Sequence, residues 1–308
     1  MVPYHAGLAD GPADGAAHWL TSVDGLRLRV VGWNRDAGAG TILLFPGRTE
    51  YAEKYGRAAA DMAARGYATI AIDWRGQGLA QRMLDARAIG HVADFLDYQH
   101  DVAAMVDFAR SGGWPEPYYL LAHSMGGCIG LRSLMDGLPV AAAAFTAPMW
   151  GIQMTAQMRP VAWALTGIAR RVGLSGRMAP GQEAQTYVLR QGFEGNSLTR
   201  DPDMWGWMRA HQEAEPELAL GGPSLHWLGE ALSEMRALSR MPSPDVACGV
   251  WLGGAEKIVD PARVRARMGR WPGGVLHEVP NAEHEIMMEL PPVRAALWDG
   301  LAALFRPR

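Results

Sequence analysis

The first half of the chain switches between two hydrophobic periods. Short apolar runs bounded by turn residues alternate with longer stretches whose apolar positions recur every three or four residues. The runs 26–33 (LRLRVVGW), 41–45 (TILLF), 67–73 (YATIAID), 118–122 (YYLLA) and 140–147 (VAAAAFTA) predict strands. The stretches 52–66, 95–110 and 126–137 predict helices, the first stopping at Gly66. Alternation of this kind means a mostly parallel sheet with helices on both faces, an α/β architecture.

The pattern breaks after Met149. No buried strand is predicted up to Pro242, and the stretch is rich in Met, Trp and Gly, as in MWGIQM, DMWGWM and LHWLGEAL. It predicts a mostly helical insertion. The alternation then resumes with strand 246–254, helix 261–270, strand 274–279 and helix 292–305. An insertion flanked by sheet on both sides is a cap over one domain. The predicted organisation is a core of residues 1–148 and 243–308 with a cap of residues 149–242.

Composition narrows the function classes. Of 308 residues, 49% are hydrophobic and 20% charged, so a sizeable core can form. A net charge of −3 and the lack of a basic arm or zinc-type Cys/His spacing argue against nucleic acid. The two cysteines, Cys128 and Cys248, are distant in sequence and predict reduced core residues in a cytoplasmic protein. The N-terminal stretch lacks the basic start and apolar run of a signal peptide. The apolar runs are too short to span a bilayer, so transient contact with a membrane surface is the most that is expected. Oligomeric state is not readable. Arg263, Arg265, Arg267 and Arg270 crowd one short helix and predict a solvated face.

The chemistry concentrates in four loops. In LLAHSMGG, Ser124 stands between a strand and a helix, with small residues two before (Ala122) and two after (Gly126). A tight strand–turn–helix needs small residues there, and it lifts the serine hydroxyl above the sheet. The Met125 amide and the helix N-terminus then face a developing oxyanion. A second amide is expected from Arg48 in FPGRTEYAEKY, because Gly47 permits a tight path and Pro46 has no N–H. Glu50 is expected to brace that loop. His284, between the last strand and the last helix, stands where a base would follow serine and acid in chain order. His123 adjoins the serine, but neighbours on a tight turn point apart, so a structural role is expected. The loop after strand 246–254 offers two acids. Asp260 precedes Pro261 and reads as a helix N-cap, whereas Glu256 has no capping role.

These motifs together resemble the α/β-hydrolase superfamily, and within it the monoacylglycerol lipase and bacterial lysophospholipase branch, the serine aminopeptidase S33-type hydrolases. PGRTEYAEKY is similar to that branch's HGxxEHxxRY loop, with Pro46 and Tyr51 in place of its histidines. IDWRGQGLA, AHSMGG and NAEHEIMME match its strand end, its GHSMGG elbow and its histidine loop, and NSLTRDPDMW and GGPSLHWLGEA resemble its cap. Glu256 stands where the branch usually carries Asp. The resemblance implies a helical cap inserted after the sixth strand and a Ser124–His284–Glu256 triad without cofactor or metal. The implied reaction is ester hydrolysis through an acyl-enzyme, on a monoacyl lipid. A general small-molecule carboxylesterase, or a ligand-binding protein on a hydrolase scaffold, is the alternative. Within the cap, Trp150, Trp205 and Trp207 are the expected substrate-binding residues.

Overall fold

A computed structural model describes residues 2–306. Eight strands form one sheet: β1 (Ala16–Thr21), β2 (Arg27–Trp33), β3 (Thr41–Phe45), β4 (Ala68–Asp73), β5 (Tyr118–His123), β6 (Ala142–Thr146), β7 (Ala247–Gly253) and β8 (Val275–Val279). Their spatial order is β1-β2-β4-β3-β5-β6-β7-β8, and β2 alone runs antiparallel to both of its neighbours. Every strand from β3 to β8 pairs in parallel, so the loops that carry the chemistry leave the same edge.

Among the described residues ten α-helices accompany the sheet: α1 (Ala6–Ala9), α2 (Gly56–Ala63), α3 (Tyr98–Ser111), α4 (Met125–Met135), α5 (Met158–Arg171), α6 (Tyr187–Arg190), α7 (Pro202–Ala214), α8 (Leu225–Arg240), α9 (Pro261–Met268) and α10 (Pro291–Leu304). The central strands are buried on both sides, and alternate residues feed different cores. Leu43, Phe45, Leu120, Ala122 and Val250 meet α3, α4 and α9. Ile42, Leu44, Leu121 and Ala144 meet α2 and α10. Both cysteines are free and buried.

The segment between β6 and β7 does not build a large core of its own. Trp227, Ala231 and Met235 of α8 join the first core cluster, and Met204, Trp205 and Met208 of α7 join the second. Arg132 of α4 grips Glu234 of α8 through two hydrogen bonds of 2.7 and 3.0 Å. On α5 Met158, Val161 and Ile168 are exposed, as is Val172 just after it. No helix among the described residues is long and apolar enough to cross a membrane.

Three local outcomes differ from the sequence reading. Strand β1 was absent from it, because this edge strand is half-exposed and carries no clean apolar alternation. The 52–66 helix divides into a 3₁₀ turn at Ala52–Tyr55 and then α2, and its end at Gly66 takes φ +87°. The arginines near α9 do not make one solvated face. Arg267 is buried, donating to the Met241 carbonyl at 2.9 Å, and Arg265 pairs with Glu278 at 2.6 Å.

Candidate active site

Ser124 sits at the end of β5 with φ +50° and ψ −116°, a backbone strained for any residue with a side chain. Its carbonyl accepts from Gly127 N at 2.9 Å and Met149 N at 2.8 Å, and its own amide donates to the Thr146 carbonyl at 3.1 Å. The turn is tight because α4 presses on the neighbouring strand end. A Cβ on Gly126 would lie 2.1 Å from the Phe45 carbonyl oxygen, and one on Gly127 would lie 2.6 Å from Pro148 Cβ. The serine side chain caps nothing on α4, so its hydroxyl is free to face the cavity.

Three separate loops meet there. His284 Nε2 lies 2.9 Å from Ser124 Oγ, and His284 Nδ1 lies 2.7 Å from Glu256 Oε2. The other carboxylate oxygen of Glu256 accepts from the Ile258 and Val259 amides at 2.6 and 3.0 Å. Burial alone would raise the Glu256 pKa, but the His284 ring and those two amides outweigh it, so the carboxyl is held below its usual range. Asp260 is turned elsewhere: its carboxylate accepts from the Ala262 and Arg263 amides as the N-cap of α9.

The loop after β3 is braced from two sides. The Glu50 carboxylate accepts from the Gly47 amide, the Tyr55 hydroxyl and, at 2.6 Å, Lys54 Nζ. Gln77 accepts from Thr49 N at 2.9 Å and donates to the Gly47 carbonyl at 3.3 Å. Thr49 is held at φ +67°, an uncommon state for a β-branched residue. Arg48 lies between these braces, and among the described residues neither its amide nor that of Met125 donates to a backbone carbonyl outside regular elements. Both residues stand at the end of the sheet that carries Ser124.

Beneath the histidine is a charged cluster that sequence reasoning missed. Lys54 Nζ bridges Glu50 and Glu285 at 2.6 and 2.7 Å, and His123 Nε2 lies 3.2 Å from Glu285 Oε2. His123 also faces the His284 ring, with centroids 4.9 Å apart, and its Nδ1 lies 3.0 Å from Thr146 Oγ1. The Lys54 and His123 charges hold Glu285 well below the usual carboxylate range despite its burial. Glu50, His123 and Glu285 converge as metal ligands would, but the Lys54 ammonium already bridges the two carboxylates. The spacing of Glu50 and Lys54, four apart, was the available signal. The distant partner Glu285 left none.

The cavity over Ser124 has a volume of about 760 Å³. Met149, Ile152, Leu165, Met208, Trp227 and Leu228 supply apolar wall, so much of it comes from the segment between β6 and β7. Trp150, Trp205 and Trp207 do not line it, which corrects the expectation from sequence. Trp150 donates its indole N–H to the Gly127 carbonyl at 3.0 Å and stacks on Trp271. Trp205 is buried against Tyr187 and Phe193. Trp207 donates to the Leu8 carbonyl at 3.1 Å beneath the Arg57 guanidinium. Such indoles settle where the ring is packed and its N–H finds an acceptor, and two of these three found a backbone carbonyl outside the cavity.

This geometry has relatives. The chain is 28% identical over 302 residues to lysophospholipase L2 of Escherichia coli (strain K12), covering 93% of this chain and 86% of that one. It is 27% identical over 255 residues to a probable lysophospholipase L2 of Haemophilus influenzae, covering 82% and 79%. The fold is shared with a soluble variant of monoglyceride lipase from Saccharomyces cerevisiae, at TM-score 0.74 and 18% identity, covering 99% of both chains. The family model described as serine aminopeptidase, S33 matches residues 37–291. With its parallel sheet and serine-bearing turn in that matched span, the chain belongs to the serine aminopeptidase S33 family of α/β-hydrolases.

Proposed function

We propose that the protein hydrolyses carboxylic esters of monoacyl lipids, lysophospholipids or monoacylglycerols, through an acyl-enzyme on Ser124. The observation that carries this reading is the hydrogen-bonded chain Ser124–His284–Glu256 opening into a large cavity with much apolar wall. The names of the two bacterial relatives support the lipid class.

In this reading Ser124 Oγ attacks the ester carbonyl carbon while its proton passes to His284 Nε2. The oxygen that gains the negative charge is held by the Arg48 amide of the loop after β3 and the Met125 amide at the N-terminus of α4. Glu256 keeps the His284 proton on Nδ1 and stabilises the imidazolium. Collapse expels the alcohol, which takes the Nε2 proton. Water then repeats the sequence on the acyl-serine and releases the fatty acid. The apolar cavity wall accommodates the acyl chain.

Ser124→Ala tests the reading. Turnover of a monoacylglycerol, a lysophospholipid and a short aryl ester should fall by several orders of magnitude, on the order of 10⁶ in a well-studied triad, with the thermal transition retained. A fluorophosphonate should label the unaltered chain and not the variant. Ester turnover by the variant within tenfold of the unaltered protein would overturn the mechanism. Turnover of aryl esters alone would instead favour a general carboxylesterase, and labelling without turnover a binding protein.

A further inference from the structure

The cations along the cavity wall are not equivalent. Lys54 is bound between two carboxylates, and Arg190 pairs with Glu183. Arg48 has no such partner. One of its N–H groups donates from Nη1 to the Gly221 carbonyl at 2.8 Å, and the guanidinium lies 5.6 Å from the Trp227 ring centroid. Among the described residues no carboxylate forms an ion pair with it. Burial pushes it down to about 10, with only the Tyr98 hydroxyl opposing. A guanidinium has five N–H donors in a rigid fork. Arg48 is only partly buried, and on the cavity wall its remaining donors are open to an anion.

Arg48 stands at both ends of the same stretch of wall. Its amide is a proposed oxyanion donor, and its guanidinium reaches Gly221 and Trp227 in the lining contributed by the segment between β6 and β7. The path from the arginine N to Cζ contains the same number of covalent bonds as the path from the ester carbonyl carbon of a lysophospholipid to its phosphorus. A substrate whose carbonyl oxygen lies on the Arg48 amide can therefore bring its phosphate to the guanidinium when its glycerol runs alongside the arginine side chain. Arginine and phosphodiester can then pair through two parallel N–H···O bonds.

We propose that the Arg48 guanidinium binds the phosphodiester of a glycerophospholipid while the amide of the same residue holds the ester oxyanion, so that one residue favours lysophospholipids over neutral monoacylglycerols. This rests on the ester-hydrolase reading above. The glycerol phosphate moiety is the chemistry recognised, whether it arrives within a lipid or as the free product.

The test is a ratio. The kcat/KM values for a lysophosphatidylglycerol and a monoacylglycerol with the same acyl chain are measured for the unaltered protein, Arg48→Gln and Arg48→Lys. Damage to the loop or the oxyanion site lowers both values and leaves their ratio. Loss of the phosphate contact should lower the ratio by about tenfold or more in Arg48→Gln, and less in Arg48→Lys, which keeps the charge. An unchanged ratio in Arg48→Gln overturns the proposal. If that variant does not fold, the unaltered protein still decides. Glycerol 3-phosphate should inhibit aryl ester hydrolysis at lower concentration than glycerol, and added salt should weaken that inhibition. Equal inhibition by the two compounds overturns the proposal. If the unaltered protein hydrolyses no ester, it is the function above that fails.

Discussion

At the residue scale, two acids four positions apart take different work. Glu256 is long enough to reach His284 with one oxygen while the other takes two amides of its own loop. Asp260 caps α9. In the proposed mechanism, Glu256→Gln removes the charge that opposes the imidazolium and blurs the choice of tautomer. Turnover on a soluble ester should fall by about two to four orders of magnitude. Asp260→Asn can still accept from Ala262 N and should change rate and stability little. Kinetics of both variants on one ester check this. A crippled Asp260→Asn beside a nearly normal Glu256→Gln would move the acid to the other residue.

At the element scale, the serine turn depends on how closely α4 approaches β3. Gly126 and Gly130 share that helix, one turn apart, but meet different neighbours. A Cβ at Gly126 would strike the Phe45 and Pro46 carbonyls at 2.1 and 2.6 Å, and this backbone precedes the loop that bears Arg48. A Cβ at Gly130 would meet the Leu120 Cδ2 methyl at 3.0 Å, which can rotate. Gly126→Ala should therefore lose about 1–3 kcal/mol of stability. It should also lose ester turnover, because it displaces both sides of the proposed oxyanion site. Gly130→Ala gains up to about 1 kcal/mol of helix preference, which offsets its milder crowding. Urea unfolding with rate measurements on both variants tests the contrast, and equal losses would show that the approach of α4 to β3 at Gly126 is not what constrains the turn.

At the scale of the whole molecule, the charged cluster under His284 ties together loops that are far apart in sequence. Lys54 belongs to the loop after β3, His123 to the end of β5, and Glu285 to the loop after β8. Glu285 is ionised well below its usual range because Lys54 and His123 outweigh its burial, with His284 adding to them. A carboxyl whose pKa is lowered by folding adds stability that is full above the unfolded value, about 4.3, and is lost as pH falls through the folded value. Glu285→Gln should thus be destabilised at neutral pH, by on the order of 3 kcal/mol, because it leaves Lys54 with Glu50 alone. The gap to the unaltered protein should narrow in strong acid. Urea midpoints over a pH series measure this, and a gap independent of pH would show that the loss is one of packing.

Much of this protein is determined by patterns that are local in sequence. The strand and helix periods give the α/β class, because one face of each element must be apolar wherever it packs. The small residues around Ser124 mark a tight turn, because only small side chains fit beside a neighbouring strand end. Asp260 before Pro261 marks a cap for the same local reason. Other features exist only once the chain is folded. The half-exposed β1 pairs with β2 through backbone groups that leave no apolar signature. The partnership of Lys54 with Glu285 spans 231 residues. Trp150, Trp205 and Trp207 carry the right chemistry for an apolar cavity, but the tertiary structure directs all three away from it and lines the wall with Met, Leu, Ile and a different tryptophan, Trp227. A period tells which face of an element is buried. It does not tell against what, because burial in a core and burial against a cavity give a residue the same hydrophobic preference.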